Sequence, residues 1–195
     1  MSERDSEKSV AEQLIFGSSM EGLLDGVRNQ LTPKCRERIL KECGVDVDAK
    51  TQPGCSAKVW ARCIQILGEE LFPALEPTMA HRELGVRTIE AFVDGHALGR
   101  AIFGVLRLLG PDRTVGRMTK NLRTGSSFVE TRFLQLAPQN YEILINDVSG
   151  VPGFYQGMLE RGLYHVGAKT TVAAIDKYDG CACTFLVRWT SGKLN

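Results

Sequence analysis

The sequence predicts an α+β fold: an N-terminal helical layer packed on a C-terminal four-stranded antiparallel sheet of order β-β-α-β-β. Three observations carry this expectation. Apolar residues recur at spacings of three and four through most of the chain before Gly125, the pattern of amphipathic helices. After Gly125-Ser126-Ser127 the pattern turns to period-two alternation in segments rich in β formers. Two turn signals, Pro138-Gln139-Asn140 and Asp179-Gly180, divide those segments into hairpins on either side of one helical stretch.

Residues 1–12 are polar and are expected to be frayed, with a single α+β domain over 13–195. Gln13 to Phe16 reads as a short strand, and Ser18-Ser19 as the cap of a helix over Met20 to Arg28. Thr32 followed by Pro33 is an N-cap with proline at the first helical position, and Gly44 is a left-handed stop, so Pro33 to Cys43 is predicted helical. Asp46 to Gly54 reads as a loop. From Ser56, the residues Val59, Trp60, Cys63, Ile64, Leu67 and Leu71 share one helical face that ends near Pro73. Helices follow over Pro77 to Phe92 and Asp94 to Leu109; Gly110-Pro111-Asp112 breaks the pattern and opens another helix to about Leu122. Glycines 95, 99 and 104 suggest a close helix approach, in the core or across a dimer seam.

In the C-terminal part, Phe128 to Leu134 pairs with the strand carrying Tyr141, Ile143 and Ile145. Pro152 opens a helix whose Phe154, Met158, Leu159, Leu163 and Val166 share a face, and Gly167 stops it. The last hairpin joins Lys169–Asp176 to Cys181–Trp189. The simplest burial puts the sheet's own helix on one face and N-terminal helices on the other.

At 195 residues with 43% hydrophobic content the chain can build a core, and a formal charge of +1 lacks the global attraction of a dedicated nucleic-acid binder, so specific nucleic-acid binding is not expected. No apolar run reaches the ~18 residues of a bilayer span, and Met1 to Lys8 has no apolar signal core, so a cytoplasmic protein is expected. Cys35, Cys43, Cys55, Cys63, Cys181 and Cys183 then read as buried thiols acting as small hydrophobes, and Cys181-Ala182-Cys183 lacks zinc-site spacing. Neither metal nor cofactor is expected.

The stretches Phe16-Gly17-Ser18-Ser19-Met20-Glu21-Gly22-Leu23-Leu24, Glu70-Leu71-Phe72-Pro73, Leu84-Gly85, Asn121-Leu122-Arg123-Thr124-Gly125, Phe154-Tyr155-Gln156-Gly157 and Val187-Arg188-Trp189 come in a shared order. With the region around Trp60 they resemble a paralogous domain-of-unknown-function family known chiefly from myxobacteria. The C-terminal half is also similar to a wider superfamily of four-vinyl-reductase-type domains, haem nitric-oxide sensors and TRAPP subunits. That resemblance implies binding of small molecules or proteins, and dimerisation. The sequence departs from it where cofactors are held. It has no Tyr-x-Ser-x-Arg motif for haem propionates, and while Cys183 matches the last of the cysteines with which four-vinyl-reductase-type domains hold zinc, the position about seven residues earlier is Asp176.

No catalytic motif is present, and His81, His96 and His165 lie on separate predicted helices, so no catalytic residue is assigned and no enzyme is expected. Two candidate sites remain. Trp60, Phe92, Phe103, Phe133, Tyr155, Met158 and Trp189 are candidates for an apolar ligand pocket between sheet and helices. Arg113, Arg117, Lys120 and Arg123, spaced by four, three and three, are candidates for an anion- or partner-binding stripe. The resulting expectation is a non-enzymatic sensory or adaptor domain, homodimeric, binding a small apolar molecule or a protein partner. The alternative is a module that uses the basic stripe on an anionic surface.

Overall fold

The computed structural model describes residues 13–50, 52–95, 97–117, 120 and 122–191; of Leu98 and Ser191 it describes the backbone alone. The expectation of a frayed segment over 1–12 lies outside these residues.

Strand β1 (Leu14–Phe16) leads directly into helix α1 (Gly17–Asp25) and pairs antiparallel with β2 (Gly54–Ser56), which opens from the segment read as a loop. The first helix begins earlier than Ser18-Ser19 suggests: its N-cap is Phe16, with no side-chain cap, and both serines sit inside its first turn. A turn of 3-10 helix over Arg28–Gln30 precedes α2 (Pro33–Cys43). There the cap chemistry is as read: Thr32 accepts from Cys35 N at 3.2 Å, Pro33 stands in the first turn, and Gly44 takes φ 68°. Helix α3 (Ala57–Leu71) is capped by Ser56, which accepts from Val59 N, and it buries Trp60, Cys63, Ile64 and Leu67 along one side.

Helices α4 (Pro77–Gly95) and α5 (Ala97–Val115) follow. The latter breaks at Gly110 (φ 77°, ψ 171°), and Pro111 restarts a short helical stretch, the break expected from Gly110-Pro111. Strands β3 (Thr131–Ala137) and β4 (Asn140–Ile145) form the first hairpin, α6 (Pro152–His165) crosses over, and β5 (Ala168–Tyr178) and β6 (Cys183–Ser191) form the second. The sheet is antiparallel throughout, in spatial order β3-β4-β6-β5. The fold is thus the α+β arrangement with β-β-α-β-β order that the sequence predicts. β3 starts three residues late because Asn146 holds the approach to it, accepting from Glu130 N at 2.7 Å and donating to the Phe128 carbonyl.

Burial shows how the layers meet. Tyr141, Ile143 and Ile145 of β4 and Cys183, Phe185, Val187 and Trp189 of β6 are buried and face the helices. The alternate residues Glu142, Leu144, Thr184 and Leu186 are all half-exposed. Helices therefore cover one face of the sheet, and the expectation of cover on both faces is corrected: the period-two side chains of the outer face stay in contact with solvent.

The helical layer is fixed to this sheet through α4 and α6. A Cβ built on Gly157 would collide with the carbonyl oxygen of Arg82, one on Gly153 with that of Thr78, and one on Gly85 with that of Phe154. These three positions carry the close backbone approach. Of the glycines the sequence pointed to, Gly99 meets the Phe92 carbonyl, whereas Gly95 and Gly104 face nothing within 4 Å. Gly157→Ala should therefore cost about 1–3 kcal/mol by overpacking and lower the thermal midpoint by several degrees. Gly104→Ala should instead stabilise by up to ~1 kcal/mol of helix propensity. Calorimetry of the two variants checks the contrast, and equal effects would mean that the α4–α6 crossing relaxes freely.

Candidate functional site

A cavity of about 510 Å³ opens beside the α4–α6 crossing. Its walls come from α1, α4, α5, α6, Trp60 of α3 and the segment Leu122–Val129, and the sheet contributes Ile145. It therefore lies mainly among the helices rather than flat against the sheet. β1 closes one side: Phe16 N donates to Gly125 O at 2.9 Å, Ser127 N to Leu14 O at 2.9 Å, and Ser19 Oγ to Gly125 O at 3.1 Å.

Of the seven candidate pocket residues, Trp60, Phe92, Phe103, Tyr155 and Met158 line this cavity. Trp60 stands edge-on to Phe154 at 5.3 Å, and Phe92 edge-on to Phe103 at 6.4 Å. Phe133 and Trp189 do not line it. Phe133, on edge strand β3, is 48% exposed and tilts against Tyr141, while Trp189 stacks on the same ring at 5.3 Å. Register along the strands, which aromatic composition does not reveal, sends these two to a separate cluster. Residues that the aromatic reading missed include Ile102, Leu106, Ile89 and Leu163, and also Gly162, whose missing side chain leaves the wall open.

The polar groups of the lining are mostly hydroxyls tied to backbone. Thr88 Oγ1 donates to Leu84 O and Thr114 Oγ1 to Gly110 O, both at 2.8 Å, and Ser126 Oγ to Leu122 O at 3.4 Å. Burial pushes the Tyr155 phenol far above its ordinary value and keeps it protonated. The Trp60 indole nitrogen is buried with no partner among the described residues.

The basic candidates separate. Arg123 pairs with Glu130, Arg113 and Arg117 are exposed, and Lys120 lines the cavity. The turn at Gly116-Arg117 interrupts the helix that a continuous stripe requires. Arg100 and Arg107 donate to the carbonyls of Asp94 and His165.

Among the described residues no group of three or more His, Cys, Asp or Glu is placed to hold a metal ion. Cys35, Cys63 and Cys183 are buried, Cys43 and Cys55 half-buried; Cys181 is exposed, against the reading of six buried thiols, because it sits in the Asp179–Ala182 turn. No helix among the described residues is long and apolar enough to cross a membrane. His96 lies outside the described residues. His165 Nε2 is 3.0 Å from Glu90 Oε2, whose other oxygen is engaged by Arg161; neither His165 nor His81 lines the cavity.

The model of a family described as a protein of unknown function (DUF2378) matches residues 13–190. The chain belongs to that family. A comparison with curated proteins gives no match. The fold is similar to that of H-NOX proteins. The Fe(II) unliganded H-NOX protein from K. algicida is 11% identical with a TM-score of 0.67, covering 93% of this chain and 100% of that one. A point mutant of the T. tengcongensis H-NOX is 12% identical at 0.67, covering 92% and 100%. An oxygen-binding H-NOX domain related to soluble guanylate cyclases is 12% identical at 0.65, covering 93% and 98%. At such identity the likeness establishes the fold.

One histidine gives a pH expectation. Burial pushes His81 below its ordinary value of 6.5, with Glu69 opposing. The unfolded chain takes up this proton near 6.5 and the folded chain only at lower pH, so the contribution is complete above 6.5 and is lost as pH falls toward the folded-state value. Thermal unfolding across that range should show His81→Gln losing less stability on acidification than wild type; parallel curves would refute the assignment.

Proposed function

We propose that the chain is a non-catalytic, sensory ligand-binding domain that holds a small, largely apolar molecule in this cavity. The observation that carries the reading is the cavity itself: about 510 Å³, lined by Trp60, Phe92, Phe103, Phe154 and Met158, with few polar groups. That volume and lining are typical of small-molecule sites. The hydroxyls of Thr88 and Thr114 bond to backbone carbonyls rather than to an acid–base partner, which supports recognition rather than bond-making. The H-NOX-like fold supports the same reading, since structures of that fold include an oxygen complex.

Two of those related structures concern haem. The lining here does not fit that group. Haem iron takes His, Cys, Met or Tyr as protein ligands. Among the described lining residues there is no His or Cys; Tyr155 is held as the neutral phenol, and Met158 has no second strong donor beside it. Lys120 is the one described cation in the lining, against the two propionates of a haem.

A homodimer remains part of the proposal. Edge strand β3 exposes Phe133, Leu134 and Leu136, and a second copy pairing antiparallel along that strand would cover them and satisfy its outer backbone groups. Sedimentation of wild type and Leu134→Lys checks this: the substitution should shift the protein to monomer, and a monomeric wild type rejects the dimer.

The ligand reading is tested at Gly162, where a Cβ meets nothing within 4 Å and which lines the cavity. Native mass spectrometry of the purified wild type should show a retained molecule. Gly162→Leu should stay folded, gain up to ~1 kcal/mol by replacing a helical glycine, and lose that molecule. Equal ligand masses on the two proteins would place it elsewhere.

A further inference from the structure

We propose that the cavity takes a single-chain amphiphile with a compact anionic head. The head sits at the mouth, between Lys120 and the first turn of α1, and the chain runs inward over Phe92, Ile102 and Phe103. This rests on the cavity being a ligand site and adds the chemical class of the ligand.

The first support is the order of polarity along the wall. The lining residues that are exposed, Ser18, Lys120 and Thr124, are all polar, and they mark the mouth. The buried ones are mostly apolar, among them Ile15, Trp60, Ile89, Leu106, Phe154 and Leu163, and the hydroxyls of the buried Thr88, Thr114 and Ser126 are spent on backbone carbonyls. Such a gradient matches a molecule that is polar at one end and apolar along the rest of its length.

The second support fixes the sign of the polar end. Lys120 is the one charged side chain among the described lining residues, and no carboxylate stands among them to neutralise it.

The third support is the end of α1. This helix of nine residues has Phe16 as its N-cap, no side-chain cap and no acid in its first turn, with Glu21 following in the second. Gly17 N is taken by Pro53 O at 2.8 Å, and the next residues, Ser18 and Ser19, line the cavity. Ser19 Oγ already donates to Gly125 O, and Ser18 is exposed at the mouth. Backbone N–H groups and hydroxyls at such an end are donors for anionic oxygens.

Carboxylates and phosphate monoesters share this head chemistry, so the test uses both. Isothermal titration of the full chain with dodecanoate, dodecyl phosphate, dodecanol and dodecyltrimethylammonium, each below its micellar concentration, reads the head requirement at constant chain. One or both anions should bind with one molecule per chain, and the alcohol and the cation at least about tenfold more weakly. Lys120→Gln, at an exposed position, should bring the anion's affinity down to that of the alcohol and leave the alcohol unchanged. Whichever anion binds more tightly identifies the head. Equal binding of alcohol and anion, or an anion affinity untouched by Lys120→Gln, overturns the head assignment while leaving the cavity a ligand site. Binding of none of the four overturns the proposal, and the retained mass on wild type against Gly162→Leu then decides the broader reading separately.

Discussion

The close crossing of α4 and α6 is the constraint on which the other features depend. Three glycines put backbone against backbone, and one ion pair locks the joint: Arg82, whose carbonyl faces Gly157, donates through its guanidinium to Glu160 at 2.6 Å. The second oxygen of Glu160 accepts from Ala173 N of β5 at 3.0 Å. One carboxylate thus joins two helices and the sheet. A buried carboxylate is tolerated only when paired and hydrogen-bonded, and removal of either partner would leave an uncompensated charge. The joint therefore specifies one relative placement of helical layer and sheet, and β5, an edge strand, gains cover for one of its N–H groups.

From that placement the cavity follows. Gly153 and Gly157 stand four residues apart on the side of α6 that meets α4, while Tyr155, Met158, Leu159, Gly162 and Leu163 supply the cavity wall. Glycine acts in opposite ways on one helix. At Gly157 it removes a side chain so that another backbone can enter; at Gly162 it removes a side chain and nothing enters. With the α4–α6 distance held short on one side, the helices cannot slide together to fill the other. Interiors normally approach crystal packing density, so a persistent apolar void of this size requires rigid walls.

Local chemistry was legible in the sequence wherever it was self-contained. Thr32-Pro33 with Gly44, the break at Gly110-Pro111, and the turns around Gln139 and Gly180 each specify a backbone conformation from adjacent residues, and from them the order of elements follows. What escaped reading depends on partners distant in the chain. Ser18-Ser19 carries the composition of a cap, yet the pairing of Phe16 and Gly17 with residues 125 and 53 starts the helix earlier and turns those serines into lining. Gly85, Gly153 and Gly157 look no different in sequence from Gly95 and Gly104, because tightness is a property of what lies opposite. Phe133 and Trp189 belong to the right residue class, but strand register directs them to Tyr141 instead of the cavity.

The same distinction bears on how far the H-NOX likeness carries. Fold similarity at 11–12% identity constrains the path of the backbone. It does not constrain which atoms face the cavity. Haem needs a strong axial donor and cations for two carboxylates, and the described lining supplies neither a histidine nor a cysteine and one lysine. That lysine stands at the mouth with Ser18 and Thr124, while the inner wall is mainly hydrocarbon and aromatic ring. An architecture shared with the H-NOX structures is thus compatible with different ligand chemistry, because recognition is set by side chains lining a site and not by the topology that encloses it.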